Sequence, residues 1–415
     1  MVHNRTYKGG KVSKNQPKDK VYPTFTPLYK FMPNSTKSTL QLPFLLKRLA
    51  FWAWYLLAFV ILIASKFPDW VSEYYTNGFF QWLSQHLRMV SNLAPKALGE
   101  YLYLFIIIML IINTIKSIIK YKNKLKETNS LGAVAKKLAI KSAKYLVQFY
   151  VLFMLFWGLN YQKASPAKQF NLSLKDSYDE VAIEQLTLQL IKELNETREN
   201  LSDSALSNLS KEQIFTQDIH EYDQIKALYP FLNYRQPCLK LSSFPSLGDY
   251  LGFMAYYQPL TGEAIIRGEL PILTLPFTVS HEIAHQLGYA SETEANFIAY
   301  VIGTSTQNTV FKYSMLLQLF TYAQSAELTA VAKRGDFDNW KKLIDRNKHL
   351  LSPKVLEDRK KIKLFFLERQ GLLIPASTSI YNQFLQWNKQ SKGIESYNDV
   401  LLWALAYRSK YASNN

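Results

Sequence analysis

Residues 278–297 read TVSHEIAHQLGYASETEANF, and the two histidines and three glutamates in that run are of types and spacings that can do chemistry. His281 and His285 stand four apart, so on a helix both project from one face, a turn apart, and can bind one zinc ion. Glu282 lies between them, rotated away from the metal yet able to reach a water there as general base. That is the chemistry of a zinc peptidase. A bare HExxH is a weak signal, so its surroundings carry weight. Ile283, Ala284 and Gln286 are uncharged and Leu287 is apolar, as suits a helix pressed into a core around a metal. Pro276 and Thr278 suit a helix start, and Gly288 suits its end, where a left-handed turn reverses the chain.

A peptidase zinc takes a third protein ligand and leaves its fourth position open. Directly after Gly288 comes Ser291-Glu292-Thr293-Glu294-Ala295-Asn296. Ser291 with Glu294 has the spacing of a capping box, which predicts a second helix here. Glu292 then sits in its first turn, free to point back at the metal, and is preferred over Glu294 as third ligand. Asn296, one turn on, is placed to hydrogen-bond a ligand from behind. A buried helix carrying two structural histidines, and two glutamates serving only the helix dipole, is the plainer alternative.

These residues need a scaffold, and the sequence divides into two halves that could supply it. Three apolar runs occupy the first 162 residues: Leu49–Ser65, Tyr101–Ile115 and Tyr145–Gln162. Each carries no charge, the first and third lie between basic residues and the second is followed by Lys116, and each approaches the 20 or so helical residues that cross a hydrocarbon core of about 30 Å. Residues 1–48 hold ten Lys and Arg against Asp19, and residues 116–144 hold nine Lys against Glu127. Basic flanks belong on the cytoplasmic side, so the N-terminus is expected inside and the chain is expected to leave its third span outside. This predicts an inner-membrane protein whose catalytic half faces the periplasm or exterior. The membrane half carries the whole net charge of +17, and residues 163–415 balance at 27 basic against 27 acidic residues. A positive-inside bias therefore explains the charge, and a nucleic-acid partner is not expected. The lipid bilayer is the expected partner, and the 116–126 run can also touch anionic headgroups. A lone cysteine, Cys238, excludes an internal disulfide.

Within the membrane half, residues 70–94 are aromatic and sparsely charged, and are expected to form a helix at the outer interface, against the exported domain. Ser177-x-x-Glu180 is expected to open a helix ending near Asn200. Residues 253–257 and 263–267 predict short strands joined by a turn at Pro259–Gly262, a hairpin that could bind substrate along its edge or merely cover the site. Helices are predicted at about 291–304, 309–331, 352–369, 376–389 and 397–409, with Ser352-Pro353 and Ser396 as starts. Their aromatics read mainly as core, although Tyr313, and less so His349, could donate a hydrogen bond to a tetrahedral intermediate.

The blocks 76–103, 156–162 (FWGLNYQ), 256–267 (YYQPLTGEAIIR) and above all 276–303 (PFTVSHEIAHQLGYASETEANFIAYVIG) resemble a family of bacterial membrane proteins classed only as a domain of unknown function. The resemblance implies three N-terminal spans followed by an HExxH domain. The E-x-x-A-N segment at 292–296 is similar to that of other HExxH peptidases in which the first Glu is the third ligand, which supports Glu292; a longer usual gap after the second His keeps Glu294 in view. The short gap looks more like HExxHxxGxxH, but that pattern's third His falls on Ser291.

The expectation is a membrane α-helical part with three spans (49–162, after a basic tail 1–48) joined to a mainly helical, α+β zincin-like exported domain (163–415) with a small β-hairpin or sheet. Its function is expected to be hydrolysis of a peptide or protein substrate, with Zn2+ on His281, His285 and Glu292 and with Glu282 as base. Two alternatives stand beside it: a non-catalytic zinc-binding scaffold of the envelope, and a zinc hydrolase of other envelope material.

Overall fold

A computed structural model describes residues 41–128, 130–175, 177, 179–388, 390 and 399–412. The chain divides into two units, Met1–Trp52 and Ala53–Asn415. The basic tail and the expected helix start at Ser396 lie almost wholly outside the described residues, and the account below concerns the second unit. It is mostly helical with one small sheet.

The apolar runs fold as long helices. Leu98–Thr128 and Leu131–Phe156 are each long and apolar enough to cross a membrane. The first expected span fares differently. Phe51–Ala64 counts only together with Pro68–Ser91, from which it is bent by 108°. The candidate spans therefore number two, or three if that bent pair is one. Pro68 explains the break, since a proline cannot continue the preceding helix but suits the first turn of the next.

The expected 70–94 helix forms, as Pro68–Ser91 with a π-helical stretch at Val71–Phe80, and it packs on the HExxH half. Arg88 is fully buried there. Its guanidinium donates to the backbone carbonyls of Gln236 at 2.8 Å, Arg235 at 2.8 Å and Gln286 at 3.1 Å, so the buried charge is solvated by peptide dipoles. Gln81 Nε2 donates to the Leu287 carbonyl at 2.8 Å. The Leu98–Thr128 helix is anchored as firmly. Glu263 accepts from the backbone N–H of Leu98 at 2.8 Å and of Gly99 at 2.6 Å, placing a carboxylate on the positive end of that helix. A Cβ at residue 99 would lie 2.6 Å from Gln258 Cγ, so the close approach requires glycine.

The hairpin forms slightly shifted, as β2 (Ala255–Gln258) antiparallel to β3 (Glu263–Ile266), with Gly262 at φ +72° in the turn. Sequence reading missed β1 (Leu239–Leu241), which pairs parallel with β3 and completes the order β1-β3-β2. Three residues are too few to show alternation. Two amphipathic helices, Lys211–Ile225 and Phe337–Leu350, also went unread. The helix expected from Ser177 begins instead at Glu180, capped by Asp179, whose side chain accepts from the Val181 N–H at 3.1 Å.

The main core lies around Leu275–Gln286, which packs against Lys211–Ile225, Glu292–Ser305, Thr309–Lys333 and strands β2 and β3. Val279, Ile283 and Ala284 on that helix join Phe297, Ile298, Phe320, Leu186 and Leu190 in one cluster. Burial of each larger member contributes about 1.5–3 kcal/mol, and this holds the helix in one rotation. A second cluster of Val71, Tyr75, Phe80, Val151, Met154 and Trp157 includes Ala290, in the turn after the HExxH helix. The ends of the apolar helices thus reach the same turn that carries the candidate site.

Candidate metal centre

The helix Leu275–Gln286 starts as expected, with Pro276 in its first turn, and ends before Gly288 at φ +88°. A Cβ at 288 would meet Thr76 Cγ2 at 2.9 Å and Asn160 Oδ1 at 3.0 Å, so the turn needs glycine for both its backbone and its neighbours. Gln286 pins the helix end: its Nε2 donates to the carbonyls of Cys238 at 2.8 Å and Gly262 at 2.7 Å.

On the opposite face the chain brings His281, His285 and Glu292 together, with one possible ligand atom of each within 4.8 Å of the others. His281 Nε2 lies 3.2 Å from Glu292 Oε2, and His285 Nε2 lies 3.8 Å from Glu292 Oε1. The far nitrogens are committed elsewhere. His281 Nδ1 pairs with Asn296 Oδ1 at 2.8 Å, and His285 Nδ1 with the Tyr289 carbonyl at 2.6 Å. Both partners are acceptors, so each Nδ1 must carry the proton and each Nε2 lone pair faces the shared space when the ring is neutral. Asn296 stands where the sequence reading put it.

Glu292 and Glu294 part company. Glu294 turns to the buried Lys163 at 3.5 Å, and Lys163 also stacks 3.6 Å from the Tyr289 ring centroid. The expected capping box is half formed: the Ser291 backbone favours the charged form of Glu294, but the Ser291 hydroxyl makes no cap bond. Glu294 is thus occupied by a cation of the chain itself.

Glu282 is buried beside the cluster, and its Oε2 has no hydrogen-bond partner. Burial pushes its pKa up to about 8, with His281 pulling the other way. Burial also opposes charge on Glu292, but the His281 contact overrides it and holds that carboxyl down at about 2. His285 falls to about 4 through burial and the neighbouring His281. Three donors of nitrogen and oxygen type converge, and a buried carboxylate with an orphan oxygen stands next to them. That donor set suits a zinc-like cation with an open corner.

Neither electrophile candidate joins the site. Tyr313 is fully buried and donates to Asp358 Oδ2 at 2.9 Å, in a separate ionic cluster. His349 is exposed on the Phe337–Leu350 helix. The structure instead presents two residues that sequence reasoning passed over. Tyr381, on the helix Ile374–Trp387, donates its hydroxyl to Glu292 Oε1. Trp157 sets its ring edge-on to His285 at 5.9 Å and packs on Tyr257 of β2 at 4.7 Å. Trp157 stood inside the FWGLNYQ block and at the end of the third apolar run, which was read as a membrane span. Tyr381 left no local trace, because nothing near it in sequence bears metal-binding types.

The chain belongs to a family of proteins of unknown function (DUF3810), matched across residues 75–405. No curated protein and no solved structure matches it.

Proposed function

We propose that the protein is a membrane-anchored zinc metallopeptidase of zincin type, with His281, His285 and Glu292 as ligands and Glu282 as general base. One observation carries the reading: a buried carboxylate with an unsatisfied oxygen lies beside three converging ligand atoms. A structural zinc takes four protein ligands and needs no base; among the described residues only three gather here, which speaks against the scaffold alternative. Bound at this site, zinc would act as a Lewis acid and lower the pKa of a coordinated water to roughly 7.

The chain's own residues supply the rest. Glu282 accepts the proton of the attacking water and returns it to the leaving amine. Burial raises its pKa, and a cation held by the cluster would lower it again, toward the neutral range that suits a base. Asn296 and the Tyr289 carbonyl hold the two imidazoles in the tautomer that leaves Nε2 free. Tyr381 orients Glu292.

Charge supports one orientation. Both domain ends of the Leu98–Thr128 and Leu131–Phe156 helices meet the HExxH half, so the lysine-rich 116–144 segment lies at the far end of that helical pair. Lysines favour the cytoplasmic side, which supports an outside position for the catalytic half, in the periplasm or cell exterior.

Purified full-length protein tests the reading by metal analysis and a peptide-library digest. Glu282→Gln should keep stoichiometric zinc and lose hydrolysis by about 10²–10⁴-fold, the usual contribution of a general base. Full activity in that variant refutes the role. Cleavage products other than peptides would favour a hydrolase of other envelope material.

A further inference from the structure

Two segments with almost no charge lie beside the candidate centre. Residues 372–387 (LLIPASTSIYNQFLQW) contain no Asp, Glu, Lys or Arg, and residues 244–251 (FPSLGDYL) contain only Asp249, which pairs with Arg267. They are tied together: the Gly371 N–H donates to the Asp249 carbonyl at 3.0 Å and the Ser377 hydroxyl to the Leu251 carbonyl at 2.8 Å. Between them they leave Leu247, Tyr250, Leu372, Leu373, Ile380 and Trp387 exposed, Trp387 at 82%. Single exposed apolar side chains are ordinary, but a connected uncharged group of this size is not.

Its position says what covers it. Phe244 packs on Tyr101 at 5.8 Å, in the first turn of Leu98–Thr128, and Phe384 packs on Phe153 at 6.1 Å, in the last turn of Leu131–Phe156. These are the two ends at which the membrane-length helices enter the folded domain. The apolar surface therefore continues directly from the domain ends of these helices, where a bilayer that they crossed would give way to water. Its Tyr and Trp are the residue types that favour that boundary. The same surface reaches the site, because Tyr381 on the 374–387 helix donates to Glu292.

We infer that the surface formed by residues 244–251 and 372–387 rests in the lipid–water boundary of the bilayer crossed by the chain's own helices, and that the substrate is a polypeptide segment lying at that boundary, next to a membrane anchor of its own. The second half rests on the peptidase reading; the first does not.

The test uses the full chain in phosphatidylethanolamine–phosphatidylglycerol vesicles, with a nitroxide on Ile380→Cys or on Trp387→Cys. The natural Cys238 is buried, and wild-type protein carried through the same labelling gives its background. Both labels should collide more with oxygen than with a water-soluble nickel chelate, and a label on the exposed Lys348→Cys should show the reverse. Matching aqueous behaviour at all three sites overturns the lipid contact, as does spin–spin broadening that reveals a second copy on the surface. For the substrate, a fluorogenic peptide chosen by library digest is offered free and lipid-tethered. Tethered peptide should be cut at least about tenfold faster, as expected from a raised effective concentration. The double variant Ile380→Lys/Trp387→Lys should lose that preference while keeping its zinc and its rate on free peptide. Equal wild-type rates on the two forms overturn the substrate assignment alone. Failure to cut either form defeats the peptidase reading and the substrate with it, whereas the nitroxide result stands or falls separately.

Discussion

Two groups of buried charge lie in the HExxH half, and they differ in how fully their polar atoms are satisfied. In one, Arg198 donates to Asp358 Oδ2 at 2.6 Å, to the Leu201 carbonyl at 2.9 Å and to Asp203, while Tyr313 donates to the same Asp358 oxygen. Among the described residues, none of these side chains leaves a buried polar atom without a partner. In the other, Glu282 Oε2 is orphaned, and two imidazole nitrogens crowd one carboxylate. A complete network of this kind fixes helices relative to one another. An incomplete one is poised for something that completes it.

The largest way to break this contrast acts on the satisfied group. Asp358→Ala removes the buried carboxylate partner of Arg198, leaving it Asp203 and the Leu201 carbonyl, and takes the acceptor from the Tyr313 hydroxyl, and should destabilise the protein by about 3–5 kcal/mol. Thermal unfolding of the full chain in micelles measures this, with zinc bound per folded molecule expected to stay unchanged. A drop in zinc at unchanged stability would reverse the assignment of the two groups.

The next experiment divides the two neighbouring glutamates. Glu292→Gln should weaken zinc binding by on the order of 100-fold, at the upper end of what even outlying ligand-shell changes do. Glu294→Gln should leave zinc affinity alone and instead lower stability, because Lys163 is left buried without its partner. Competition with a chelating dye separates them, and equal losses of affinity would restore Glu294 as a ligand.

The smallest effect sharpens the meaning of an unsatisfied atom. Asp218 is fully buried, with Oδ1 accepting from the Ser280 hydroxyl and Oδ2 unpartnered, and burial raises its pKa well above the usual carboxylate range. A raised carboxyl binds its proton more tightly folded than unfolded. Its stabilising effect is present below the unfolded pKa of about 3.9 and is lost as pH rises toward the folded value. Asp218→Asn should therefore flatten the decline of the melting temperature from about pH 4 upward. An unchanged slope would mean that the acid is ionised in the fold.

How much was legible follows the range of each interaction. The HExxH helix, its glycine stop, the following helix at 292–305 and the β2–β3 hairpin were readable because each depends on residues within a few positions. The long apolar helices were readable for the same reason, although Pro68 divides the first from its continuation. The choice of Glu292 over Glu294 was legible in part. The helix N-terminus put both within reach, but only the approach of Lys163, more than a hundred residues earlier, occupies one of them. Tyr313 misled because a buried tyrosine in a neighbouring helix looks the same in sequence whether it faces a metal or an aspartate.

The sequence by itself determined that two imidazoles and a carboxylate share one helical turn, since a spacing of four is a property of the backbone alone. It determined too where the positive charge collects, and which helices are long and apolar enough to cross a membrane. Only the tertiary structure decided that Trp157 stands against His285, that Tyr381 reaches Glu292, and that the domain ends of the apolar helices lie beside the site. Those contacts join residues far apart in the chain. They are set by how helices bury their apolar faces together, a collective property that no short stretch of residues encodes.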